Sequence, residues 1–173
     1  MIMLNLTIKE LKKYLLDQSK NELVFELIKL HKLYRDIQIY FEVLLSPFGN
    51  TEQFSKITTM IDKEFNFEIP KNPDLRKIKK AISDFAKLNP GPVQLGKLYS
   101  QLAFGLRGFM EEFGAQEGYY LPFYNAAKKF LLFVGKNNLQ NEFEKDAQKL
   151  VNYEEDYGSD LSDIYQKTFN HDR

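Results

Sequence analysis

Residues 89–130 read NPGPVQLGKLYSQLAFGLRGFMEEFGAQEGYYLPFYNAAKKF, and the fold follows from how this stretch is parsed. Asn89, Pro90, Gly91 and Pro92 form a breaker cluster, after which apolar residues recur at helical spacing. Leu95, Leu98, Tyr99, Leu102, Leu106, Phe109, Met110 and Phe113 fall on one face of a wheel turning 100° per residue. Beside that face lies a lane of small residues, Gly96, Ser100 and Ala103, which Arg107 continues one turn later. A glycine inside a helix costs about 1 kcal/mol relative to alanine, so Gly96, Gly105 and Gly108 need a compensating gain. Close approach of neighbouring backbones supplies one. The stretch therefore predicts a central helix contacted on more than one side, stopping near Gly114 and followed by a second helix that restarts at Pro122.

Working outward, the flanking sequence repeats the same grammar. Thr7 with Glu10, and Ser19 with Glu22, are capping boxes that open two short helices. The second carries Leu23, Leu27, Leu30 and Tyr34 on one face, and a third follows through Ile37, Tyr40, Phe41, Leu44 and Leu45 until Ser46, Pro47, Phe48 and Gly49. Thr51 and Glu52 open a fourth through Phe54, Ile57, Ile61 and Phe65, ending before Pro70. Asn72 reads as a cap with Pro73 at the first helical position of a fifth, whose stripe is Leu75, Ile78, Ile82, Phe85 and Leu88. Beyond the central pair, Gly135 reads as a stop, Asn138 as the next cap and Ser159 as the cap of a last helix, with residues 170–173 a frayed tail.

No segment alternates as a strand does, so the expected architecture is all-α: residues 1–173 as a single compact domain of eight or nine helices. They pack as irregular helical hairpins, in a bundle or a short α-superhelix. No fixed repeat of the tetratricopeptide or HEAT kind is present. Length suits one domain with a sizeable core, and an aromatic content of 14% with no tryptophan makes that core rich in phenylalanine.

Composition narrows the chemistry. Lys+Arg and Asp+Glu balance at 24 each, so no global field favours a polyanion. The absence of cysteine removes disulfides, thiol nucleophiles and cysteine-ligated metals, and suits a reducing cytoplasm. Charges at Lys9, Glu10, Lys12 and Lys13 interrupt the apolar start of the chain where a signal sequence would continue. No apolar run approaches the ~18 residues of a membrane span. The expectation is a cytoplasmic protein without membrane contact.

Several segments resemble an uncharacterised bacterial family, the domain-of-unknown-function family 6155. They are Leu11-Lys12-Lys13-Tyr14-Leu15, Ser19-Lys20 with Glu22-Leu23, Ala81-Ile82-Ser83-Asp84-Phe85, Lys87-Leu88-Asn89-Pro90, Pro122-Phe123-Tyr124-Asn125 and Asn137-Asn138-Leu139. The resemblance implies a compact all-helical protein and brings no activity, cofactor or catalytic residue.

Candidate sites are few. His31 and His171 are the sole histidines and stand in no metal-ligating spacing, so neither a metal nor another cofactor is expected. Glu111 and Glu112 point about 100° apart on a helix and do not converge as an acid/base pair. Arg107 with Glu111 four residues on reads either as an exposed ion pair or as an arginine facing a groove and gripping an anion. Tyr119, Tyr120, Tyr124 and Asn125 read as packing with hydroxyls in water or as a polar and aromatic ligand pocket near the turn. Arg76, Lys77, Lys79 and Lys80 make the fifth helix basic, the minimum footprint for phosphate contacts, but no nucleic-acid motif accompanies them. The leading expectation is a non-enzymatic protein-interaction or scaffold module that binds a protein partner or itself. A small-ligand or enzymatic groove around Arg107 and Tyr124, and weak nucleic-acid binding through residues 71–88, are the alternatives.

Overall fold

A computed structural model describes residues 6–46, 51–66, 68, 71–114, 117–154 and 160–169. Every regular element among them is an α-helix: α1 Ile8–Leu16, α2 Lys20–Leu33, α3 Arg35–Leu45, α4 Glu52–Glu64, α5 Leu75–Ala86, α6 Pro92–Phe113, α7 Glu117–Lys136, α8 Gln140–Glu154 and α9 Leu161–Phe169. The chain divides into two compact units, residues 1–42 and 43–173, and the boundary falls inside α3.

In the first unit, both capping boxes form. The Thr7 hydroxyl accepts from Glu10 N while the Glu10 carboxylate accepts from Thr7 N at 2.8 Å, and Ser19 and Glu22 repeat the arrangement. Sequence-local capping therefore sets where α1 and α2 begin. A single extended residue, Tyr34, separates α2 from α3. Gln38 Nε2 donates to the His31 carbonyl at 2.9 Å across this corner, and the His31 and Phe41 rings lie 6.1 Å apart. Neither α1 nor α2 contributes a buried residue.

In the second unit, α6 packs against α4, α5, α7 and α8, most extensively against α7, while α9 closes on α7 and α8. Sequential neighbours pair as hairpins (α4 with α5, α6 with α7, α8 with α9), the arrangement that the breaker spacing implies. The core is rich in phenylalanine, as the composition requires, with Phe85, Phe123 and Phe130 among its largest fully buried side chains. Leu98, Leu102, Leu106, Phe109 and Met110 bury one side of α6, and Gly96, Ser100 and Ala103 bury the adjoining side. The central helix is enclosed on two flanks, which is what its glycines called for.

Four boundaries differ from the sequence expectation, each for a local reason. The fifth helix starts at Leu75 rather than Pro73, because the Asp74 carboxylate accepts from Lys77 N at 2.9 Å and so takes the capping role assigned to Asn72. The seventh does not restart at Pro122. It begins at Glu117 with Pro122 inside it. The missing N–H lies near the helix start, and Tyr119, Tyr120 and Tyr124 packing on the core offset its loss. Gly135 is not a stop either, since α7 runs through Lys136 and a Cβ at Gly135 would lie 3.0 Å from Thr168 Cγ2 on α9. Asn138 ends α7 rather than capping α8. It adopts φ 54°, its N–H donates to Gly135 O at 3.3 Å, and Leu139 N donates to Val134 O at 3.0 Å, the pair of bonds of a Schellman turn. The expected breaker Pro47-Phe48-Gly49, Pro70, the cap at Ser159 and the tail 170–173 lie outside the described residues.

Candidate functional site

The small-residue lane of α6 is the seam against α8. Gly96 admits the Phe143 ring, Ser100 Oγ donates to Asp146 Oδ2 at 3.2 Å, and Arg107 Nη1 donates to the Lys149 carbonyl at 3.2 Å. The guanidinium also donates from Nε to Glu111 Oε1 at 2.9 Å and stacks 4.8 Å from the Tyr153 ring centroid. Arg107 thus lies in a cleft between two helices, with its donors directed to groups of this chain. Glu111 is exposed and serves as its i, i+4 partner.

The other residues singled out from the sequence have separate partners. Tyr119 packs its ring 4.6 Å from Phe109, and burial raises its phenol pKa. Tyr120 is half-buried against the core. Tyr124 donates a short hydrogen bond to Asp160 and accepts from Lys128 Nζ at 2.9 Å, while Lys128 also reaches Asp160 Oδ2 at 3.2 Å. These bonds raise the Lys128 pKa, the Tyr124 hydroxyl first, and lower that of Asp160. The trio ties α7 to the residue that immediately precedes α9.

Asn125 is directed elsewhere. With Lys79, Ile82, Tyr99, Leu102, Ala126 and Lys129 it lines a cavity of about 270 Å³. The Lys129 ammonium sits 4.5 Å from the Tyr99 ring centroid, which in turn meets Phe133 edge-on. Two exposed lysines and an amide thus surround an apolar floor, a lining suited to an anionic head on a short apolar body. The sequence marked Asn125 and Lys79 in separate contexts. Their convergence, and the parts of Tyr99 and Lys129, depend on how α5, α6 and α7 meet.

The basic face of α5 is partly consumed. Lys77 Nζ donates to Glu64 Oε1 at 2.9 Å and Lys80 Nζ to Asp84 Oδ2 at 2.5 Å. Glu64 is a buried acid that the sequence reading passed over, although Ile57, Ile61 and Glu64 share helical spacing and so mark it as facing inward. It also accepts from Asp74 N at 3.2 Å and pairs with Lys71 at 3.4 Å. These partners, Lys77 foremost, hold its carboxyl down to about 2. Both lysines are half-exposed, so the cluster joins the end of α4 to the start of α5 and stays open to water on its cationic side.

Among the described residues no three His, Asp or Glu side chains are grouped to hold a metal ion, and no helix is long and apolar enough to cross a membrane. His31 is exposed, and His171 lies outside the described residues. Compared with family models, curated proteins and solved structures, the chain matches none of them.

Most of the exposed large apolar side chains among the described residues belong to the first unit. Ile8 is 86% exposed, Leu16 74%, Phe25 66% and Leu33 64%. In α2 the apolar residues Leu23, Val24, Phe25, Leu27, Ile28 and Leu30 spread over a wide arc, with Glu22, Glu26 and Lys29 on the remaining side. Such an arc is wider than the single stripe of an ordinary surface helix. Sequence reading placed Leu23, Leu27, Leu30 and Tyr34 on one face of α2, and periodicity marks such a face without saying what covers it.

Proposed function

We propose that this chain is a cytoplasmic, non-enzymatic protein-interaction module whose contact surface is its N-terminal helical segment, residues 6–42. The observation that carries this reading is the exposed apolar surface of α1 and α2, which contain no buried residue. Exposed apolar patches beyond a few hundred Å² mark interaction sites on soluble proteins. The resemblance to family 6155 is compatible, since it implies a helical protein and carries no catalytic residue. The test compares affinity capture from the source cell by the full chain and by a Leu27→Glu/Leu30→Glu variant. A stoichiometric partner, or the chain itself, is expected with the first and not with the second. Identical recovery by both, or none by either, would refute the reading.

A second reading rests on the cavity of Lys79, Asn125 and Lys129: binding of a small amphiphilic anion, its carboxylate or phosphate held by the two ammonium groups. Titration with a medium-chain carboxylate, followed by amide chemical shifts, should perturb Asn125 and Ala126, and Lys79→Glu/Lys129→Glu should abolish the response. Shifts unchanged in either protein would exclude it.

A further inference from the structure

From Leu23 onward, apolar residues advance in alternating steps of four and three: Leu23, Leu27, Leu30, Tyr34, Ile37 and Phe41. This is the spacing of a helix-pair seam, in which each apolar side chain enters a hole on a facing helix. Between Lys20 and Leu45 there is neither glycine nor proline, yet the helix breaks at Tyr34, whose φ −123° and ψ 120° are extended. Helix kinks ordinarily trace to proline, glycine or a bulge. None of the residues here is of that kind, and the spacing runs through the break without losing register.

We infer that the seam of α2 and α3 pairs with the same seam of a second copy of this chain, the two segments straightening at Tyr34 into continuous helices that form a dimer. This rests on the interaction-module reading and names the partner. Three observations select a second copy. The required occupant is a helix with matching 3–4 spacing, which an identical chain provides. Residues 6–42 carry seven Lys and Arg against six Asp and Glu, so two copies meet without strong net repulsion.

The third is the flanks and the area. Beside the seam stand Val24, His31 and Gln38 on one edge and Glu26, Leu33 and Tyr40 on the other, of which Glu26 is the one acid and none is Lys or Arg. Paired edges therefore meet mostly as neutral groups. With Val24, Leu33 and Tyr40, the seam exposes on the order of 600 Å² per copy, or roughly 1,200 Å² for two copies, the lower bound of a specific interface. Tyr34 already keeps its helical backbone bonds, its N–H donating to Leu30 O at 3.0 Å and its carbonyl accepting from Gln38 N at 3.2 Å, so straightening exchanges the bond from the Gln38 side chain to the His31 carbonyl for a backbone bond to that carbonyl.

The experiment is sedimentation velocity of the full chain over a wide concentration range, with hydrogen exchange of residues 23–41 on the same samples. Wild type should dimerise with slow exchange in the seam. Leu27→Glu/Leu30→Glu should weaken the dimer by roughly a hundredfold or more, while Lys32→Glu, off the seam, should leave it within a few-fold. Because α2 contributes no buried residue, the helical content of the second unit should persist in the seam variant. A dimer indifferent to the double substitution overturns the seam. A monomer whose seam exchanges quickly overturns the second copy and leaves the interaction surface standing. A monomer whose seam exchanges slowly overturns both, since the chain then covers its own helices.

Discussion

The ring of Phe143 fills the space that a side chain at Gly96 would need: a Cβ built there would lie 2.6 Å from Phe143 Cε2. Phe143 is buried and meets Phe130 edge-on at 5.4 Å, so it has little room to yield. Gly96→Ala should therefore lose about 1–3 kcal/mol to overpacking, more than the ~1 kcal/mol that alanine gains in helix propensity. In a Phe143→Ala background the same change should become neutral or stabilising. Urea denaturation of the four proteins of this cycle measures the coupling. Additive effects would mean that the ring moves aside freely.

Glu64 makes acid stability a local property of the joint between α4 and α5. Its carboxyl ordinarily titrates near 4.5 and is held at about 2 in the folded chain, chiefly by the hydrogen bond from Lys77. The folded state prefers the ionised form, so this contribution is complete above pH ~4.5 and is lost as the pH falls towards 2. Glu64→Gln should cost about 2 kcal/mol at neutral pH, since an amide loses charge-assisted bonds to two lysines and the Asp74 amide. The difference from wild type should shrink as the pH is lowered through that window. Denaturation midpoints at several pH values give the answer, and a gap independent of pH would assign the loss to packing.

The α6 seam shows how far residue order alone carries a fold. The small-residue lane at Gly96, Ser100 and Ala103 correctly implied close helix approach, because cavities and glycine costs are local consequences of residue type. The partner was not legible: Phe143, Asp146 and Lys149 on α8 follow an unremarkable charged sequence, and nothing in their spacing points back to α6. Pro122 and Gly135 misled for a related reason. Their intrinsic preferences are real, but tertiary packing at Tyr119 and at Thr168 outweighs them. Site residues followed the same rule, since Asn125 and Lys79 were recognisable as polar groups of interest while their shared cavity is a product of helix assembly.

Arg107 is expected to act as a tie rather than as an anion receptor. Arg107→Ala should lower stability by about 1–2 kcal/mol through loss of the bond to the Lys149 carbonyl and of stacking on Tyr153. Arg107→Lys should recover little, because an ammonium cannot serve Glu111, that carbonyl and the ring together. Glu111→Gln, removing an exposed pair, should cost about 0.3–0.5 kcal/mol. Chemical denaturation of the three variants ranks them. If Arg107→Lys matched wild type, charge alone would suffice and the planar contacts would carry no weight.

Tyr124, Lys128 and Asp160 form a fastening whose loss should be felt at one end of one helix. Asp160 precedes α9 and its carbonyl accepts from Ile164 N at 3.0 Å, so its side chain is free to bind Tyr124 and Lys128 while its backbone starts the helix. Tyr124→Phe keeps the ring and removes the hydroxyl, which takes away one bond to Asp160 and one from Lys128. Leu161 stays fully buried, so α9 should remain docked through its apolar face. Amide exchange in the first turn of α9 should quicken a few-fold, with the rest of α9 and α7 unchanged. Exchange quickening along the whole of α9 would show instead that the polar contact, rather than Leu161 and Tyr165, holds the helix in place.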